Sequence, residues 1–125
     1  MKHSTIVGGS TAKRVILCPG SVALCAKMPP KPSSTYADEG TLLHTVIAEV
    51  LNDEDKPIHE YLGQTYEAQV LTAELADEKL LPALTCLDSV DPDKQMEFAT
   101  ESDVGFGKFL PGVFGSCDLL GRIGT

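Results

Sequence analysis

Tyr36-Ala37-Asp38-Glu39-Gly40-Thr41-Leu42-Leu43-His44, with the residues that continue it to Leu51, is the stretch on which the fold turns. Leu42, Leu43, Val46, Ile47, Val50 and Leu51 recur at helical spacing. They predict an amphipathic helix over about Ala37 to Leu51 with one buried stripe. Asp38 and Glu39 fall in its first turn, where a carboxylate meets the positive end of the helix dipole. Gly40-Thr41 removes bulk one turn before His44, so another backbone has room to approach there. His44 borders the apolar stripe and is expected to face inward.

Upstream, Gly8-Gly9 is a flexible entry, and Ser10 is expected to cap a short helix from Thr11 to Leu17. Pro19 ends that helix, because it donates no N–H and its ring clashes with the preceding turn. Ser21 is expected to cap a second short helix, Val22 to Lys27, and Pro29-Pro30-Lys31-Pro32 is an extended link. Ser33-Ser34-Thr35 reads as loop chemistry.

Downstream, Asn52 to Pro57 is a charged loop, Ile58 to Gly63 is irregular, and Thr65 to Val90 is predicted as mostly helical. Ala73, Ala76, Leu80, Leu84 and Leu87 carry its stripe, and Thr72 is its candidate cap. Pro82 lies inside the pattern and must kink or restart the helix, since a regular interior proline costs about 3 kcal/mol. Asp91-Pro92-Asp93 closes the helical half.

The period then changes to two. Met96, Phe98 and Thr100 alternate with Glu97, Ala99 and Glu101, which predicts a strand over Gln95 to Val104. Gly105 to Gly112 is a wide turn whose Phe106, Phe109 and Leu110 are available to pack. Val113 to Ile123 is a second strand, expected antiparallel to the first. Helices first and a β-hairpin last is an α+β pattern.

A chain of 125 residues fits one domain with a real core. The formal net charge is −8 and the pI near 4.7, so the overall field does not attract a phosphate backbone. A local basic patch, or metal ions held by carboxylates, remain as routes to one. No apolar run reaches membrane-helix length and no apolar segment follows Lys2, so a cytoplasmic protein without membrane contact is expected. The four cysteines, at 18, 25, 86 and 117, fit neither a zinc motif nor a disulfide framework.

Hydrolysis of a phosphodiester needs an activated water and neutralised phosphate charge, and divalent metals supply both. Asp118 stands in an otherwise apolar strand between Val113-Phe114 and Leu119-Leu120, where burial would be costly unless the carboxylate were paired or metal-bound. Taken alone, it also reads as an aspartate at a bend, bonded to backbone. Glu101 projects from the preceding strand as a further oxygen donor or a solvated carboxylate, and Glu97 on the same face is its rival. His44 reads either as a metal ligand or as a satisfied core histidine. His3 and His59 lie in loops and are assigned no role. Lys13, Arg14 and Lys27 are candidate phosphate contacts or simply a solvated face. Oxygen ligands suit Mg²⁺, and an imidazole shifts the preference toward Mn²⁺.

Four blocks carry a resemblance: Gly8-Gly9-Ser10-Thr11-Ala12-Lys13-Arg14; Cys18-Pro19-Gly20-Ser21; Ala37 to His44; and Phe114-Gly115-Ser116-Cys117-Asp118. In this order they resemble a phage and prophage family of unknown function within the PD-(D/E)XK nuclease superfamily, similar to RecB-type and CRISPR-associated exonucleases. The resemblance covers essentially the whole chain. It implies an incomplete restriction-endonuclease-like core, DNA as substrate and Mg²⁺ or Mn²⁺ as cofactor. His44 and Asp118 would be metal ligands, and Glu101 a catalytic glutamate beside Asp118.

Two departures accompany it. Cys117 stands where the family has a small Thr or Ala. The family's next strand carries Asp or Glu, one residue, then Lys, and no such pattern follows Asp118. The chain is therefore expected to be the N-terminal part of a longer nuclease. The alternatives are a catalytically silent binding or assembly module, which pairs with another chain or with itself through an open sheet edge, and a non-functional remnant. Some of these relatives hold an iron–sulfur cluster through one early and three late cysteines. Cys18 matches the early position but the late ones are missing, so no cluster is expected and Cys18 is expected to be a buried structural residue.

Overall fold

A computed structural model describes residues Ser4–Gly124. In chain order the elements are α1 (Ala12–Leu17), α2 (Ser21–Lys27), α3 (Thr35–Asn52), a 3-10 turn (Ile58–Tyr61), β1 (Thr65–Tyr66), β2 (Gln69–Val70), α4 (Ala73–Leu75), a π turn (Ala76–Leu80), α5 (Leu81–Val90), β3 (Glu97–Gly105) and β4 (Phe114–Arg122). Helices with two small sheets, β1-β2 and β3-β4, make this the expected α+β protein. The chain divides into two compact units, Met1–Lys31 with Ala99–Leu120, and Pro32–Phe98 with Gly121–Thr125.

The second unit is built on α3. Ser34 caps it, its hydroxyl accepting the Ala37 N–H at 3.2 Å, so the helix starts two residues before the predicted Ala37. A cap of this kind is worth about 1 kcal/mol, enough to convert loop-type residues into the first turn. Leu42 and Val46 are fully buried, and Leu43, Ile47 and Val50 pack at their margins. Tyr61, Leu71, Ala76 and Leu80 complete this core. Complete burial of each large aliphatic side chain contributes about 1.5–3 kcal/mol.

Residues 65–70 depart from the helical expectation. Thr65 pairs with Val70 and Tyr66 with Gln69 in a short antiparallel hairpin. Its turn places Glu67 at φ 51°, a left-handed conformation that glutamate rarely adopts and that no Gly or Asn advertises. Gly63, at φ 90°, donates to Leu71 O at 2.8 Å, and Leu71 N–H donates to Gln64 O at 2.8 Å. This ladder carries Leu71 into the core.

The helical segment begins at Ala73 instead, capped by Thr72, whose hydroxyl accepts the Leu75 N–H at 3.2 Å. Pro82 is expected to kink or restart the helix, and the regular α-helix is indeed interrupted just before it. A π turn over Ala76–Leu80 leads without a break into α5, whose second residue is Pro82, so a wider turn rather than a fresh helix start precedes the proline. The Asp91 carboxylate accepts the N–H groups of Gln95 and Met96, each at 2.9 Å, and so leads the chain from α5 into β3.

In the first unit, α1 and α2 are short and bury no residue. Ser10 does not cap α1. Thr11 is the N-cap residue, and its hydroxyl turns back to accept the Gly8 N–H at 2.9 Å. Ser21 is the first residue of α2 rather than its cap, because Gly20 already occupies that place. Cys18 is exposed at the end of α1, not buried as expected, since neither helix has enough apolar surface in contact to cover it.

β3 and β4 are joined by a loop that closes on itself. Phe106 N–H donates to Val113 O at 3.1 Å, and the N–H groups of Phe109 and Leu110 both donate to Phe106 O at 2.8 Å. Its apolar side chains, available to pack, stay on the surface. Phe106, Phe109 and Leu110 are exposed, because the loop's backbone hydrogen bonds hold it at the hairpin tip. The N-terminal segment runs beside it: Ser4 Oγ donates to Gly112 O at 2.6 Å. Gly112 holds φ 80°, and a Cβ there would come within 3.1 Å of Ile6 Cδ1.

Candidate functional site

The carboxylates come from the β3-β4 hairpin. Burial alternates along β3 from Glu97 to Ser102, which keeps Glu101 exposed between half-buried Thr100 and Ser102. Glu101 does so at φ 50°, a left-handed conformation inside a strand. Such a residue interrupts the ladder and increases the local twist, a common way for a strand to redirect a side chain at a site. Nothing in the residue type announces it, since glutamate has no preference for this region.

Asp118 lies on β4 and is exposed. The expectation of a buried, costly carboxylate is therefore corrected. Neighbours in a strand point to opposite faces, so Cys117 and Leu119 are half-buried while Asp118 faces out. Glu101 and Asp118 nevertheless come together, each presenting a carboxylate oxygen within 4.8 Å of the other's. Two unit charges at that distance repel by about 1 kcal/mol even with the dielectric of water between them. One hard divalent cation is ligated by just such a pair of oxygens.

Glu97, the rival on the same strand, pairs with Arg122 at 2.6 Å, both side chains exposed. His44 belongs to the other unit, on α3, and is exposed rather than inward-facing. It lies two residues after Leu42 and two before Val46, about 200° around the helix from each, so it falls opposite the line that those buried residues define. His59 is exposed in the 3-10 turn, and His3 lies outside the described residues. Arg14 donates to Cys25 Sγ at 2.6 Å, which ties the guanidinium to the end of α2. Lys13 and Lys27 are exposed. All four cysteines are free thiols.

The distribution of charge is a feature that the bulk composition hid. The first unit holds six Lys or Arg (2, 13, 14, 27, 31 and 108) and three Asp or Glu (101, 103 and 118), a net of +3. The second unit holds the other four cations and fifteen acids, a net of −11. Its signal was present in the chain, which has no acid before Asp38.

A family model described as Protein of unknown function (DUF2800) matches residues 3–121. No curated protein and no solved structure matches the chain.

Proposed function

The chain belongs to the family described as Protein of unknown function (DUF2800), and we propose that it supplies the cation-binding part of a phosphodiester-cleaving site of the PD-(D/E)XK, RecB-like class, in a phage-type DNA nuclease. The observation that carries this reading is the Glu101–Asp118 pair, two like charges held within 4.8 Å on adjacent strands. The donor set fits the group: Glu101 and Asp118 offer oxygens, and the resemblance would add His44 as a nitrogen ligand. Oxygens with one imidazole suit Mg²⁺ and favour Mn²⁺ somewhat more. When bound, the cation would neutralise charge on a phosphate and acidify a water. Asp118 and Glu101 would hold it and keep their oxygens on one side of the hairpin. Residues 119–125 contain no lysine to orient that water, so cation binding is the property of these residues to measure.

The test is titration with Mn²⁺ followed by calorimetry and by electron paramagnetic resonance. The wild-type chain binds one Mn²⁺, Asp118→Asn and Glu101→Gln each weaken it at least about tenfold, and His44→Ala weakens it less and narrows the preference for Mn²⁺ over Mg²⁺. Unchanged affinity in Asp118→Asn overturns the reading. A second reading, a silent assembly module, draws on the β3-β4 sheet having two strands and therefore two outer edges. It predicts a stable dimer in sedimentation with no Mn²⁺ bound.

A further inference from the structure

The first unit combines three features that the proposed cation site does not use. Five of its cations, Lys13, Arg14, Lys27, Lys31 and Lys108, are exposed. Of its three acids, two are the Glu101–Asp118 pair, so the rest of this unit's surface is almost purely basic. At the hairpin tip, Phe106 and Phe109 are 63% and 83% exposed and flank Lys108. No acid occurs between Asp103 and Asp118.

The tip is a held display rather than a loose end. Four backbone hydrogen bonds close the loop, and Ser4 fastens Gly112 at its base. Two phenyl rings kept in water forgo the stabilisation that burial brings, and a ligand that covers them recovers it. The charge says what covers them. A net-positive unit carried by a chain of net −8 selects a polyanion locally, where the whole molecule would repel one. Among polyanions, only unpaired nucleic acid presents flat apolar faces beside its phosphates. Bases stack on aromatic rings while cations follow the backbone, and a loop that carries a lysine and two exposed rings meets both needs. Paired duplex keeps its base faces stacked inside and offers the rings nothing.

We propose that Phe106, Lys108 and Phe109, with the exposed cations of α1 and α2, bind an unpaired nucleic-acid strand, stacking bases on the two rings. The proposal rests on the nuclease reading in taking nucleic acid as the substrate, and deepens it by assigning single strands and frayed ends. Binding by these residues requires no cation.

The experiment is fluorescence anisotropy of labelled oligothymidine with the whole chain in EDTA, against a duplex of equal length. The single strand binds more tightly than the duplex. Phe106→Ala and Phe109→Ala each weaken it about tenfold, within the range of a lost stacking ring. Lys108→Gln weakens it and lowers the slope of log affinity against log salt by about 0.7, one phosphate contact. Circular dichroism confirms that these exposed substitutions leave the fold intact. Equal affinity for duplex, wild-type affinity in Phe109→Ala, or no binding of oligothymidine while acidic peptide or anionic vesicles bind, each overturns the proposal. Since EDTA removes the cation, failure here leaves the manganese result standing, and failure of manganese binding leaves this one standing.

Discussion

Glu101 and Asp118 hold their carboxylate oxygens within 4.8 Å of each other, and Glu101 does so from a left-handed backbone at φ 50°. A non-glycine residue in that region sits roughly 1–2 kcal/mol above its ordinary conformations. The hairpin thus accepts both backbone strain and charge repulsion at one place, as sites do when geometry serves binding rather than stability.

Glu101→Gly separates the two roles. Glycine adopts φ 50° without a Cβ penalty and removes one of the repelling charges. The variant is expected to be more stable by about 1 kcal/mol in urea unfolding and to lose at least about tenfold in Mn²⁺ affinity. A variant less stable than wild type would show that the Glu101 side chain, not its backbone, governs this position.

The helix caps distinguish true hydroxyl partners from those that only the residue type suggests. Ser34 and Thr72 each accept a backbone N–H, from Ala37 and Leu75. Ser34→Ala and Thr72→Ala are expected to cost about 1 kcal/mol each. Ser10→Ala, one residue before the N-cap Thr11, is expected to cost less than about 0.5 kcal/mol. Urea midpoints of the three variants decide it, and a Ser10→Ala cost equal to that of Ser34→Ala would contradict the assignment.

The same contrast explains what could be read beforehand. The α3 stripe and the interruption just before Pro82 were legible because helical period and a missing N–H act locally, and the alternation of β3 was legible for the same reason. The β1-β2 hairpin was not, because two-residue strands carry no period and its turn uses Glu67 in place of glycine. The inward orientation expected of His44 rests on its nearness to the stripe, whereas its angle around α3 sets it on the exposed side. Burial of Asp118 does not follow from its apolar neighbours in the chain, because adjacent strand residues face opposite ways. The charge asymmetry was legible and was lost by averaging: the acid-free start and the acid-free hairpin tip belong to one unit.

Core truncation should show the second unit's dependence on a small set of residues. Leu42, Val46 and Leu80 are at most 1% exposed and meet in one cluster. Leu80→Ala and Leu42→Ala are expected to destabilise by about 2–5 kcal/mol, through lost transfer energy and the cavity left behind. His44→Ala, on the exposed side of the same helix, should cost under about 0.5 kcal/mol.

Alkaline pH should weaken the second unit through two groups that favour their protonated forms. Burial raises the Tyr61 hydroxyl above its ordinary value near 10, with Asp53, Glu49 and Glu60 adding to the shift. Lys79 is also raised, chiefly by its hydrogen bond to Glu39 and then by that carboxylate's charge. In both cases the unfolded chain releases its proton first, so above about pH 10 it binds fewer protons than the folded state and stability falls as pH rises. Both contributions are fully present at neutral pH and are lost as pH climbs through the raised folded values. The Tyr61 hydroxyl is buried without a hydrogen-bond partner among the described residues, while its ring lies 4.1 Å beneath the Lys56 ammonium. Tyr61→Phe keeps the ring and discards the hydroxyl. It is expected to match or exceed wild-type stability at pH 7 and to show a shallower decline above pH 10, and Lys79→Gln should likewise flatten that decline. Urea midpoints from about pH 7 to 11 test both, and an unchanged alkaline slope in Tyr61→Phe would remove the hydroxyl from the account.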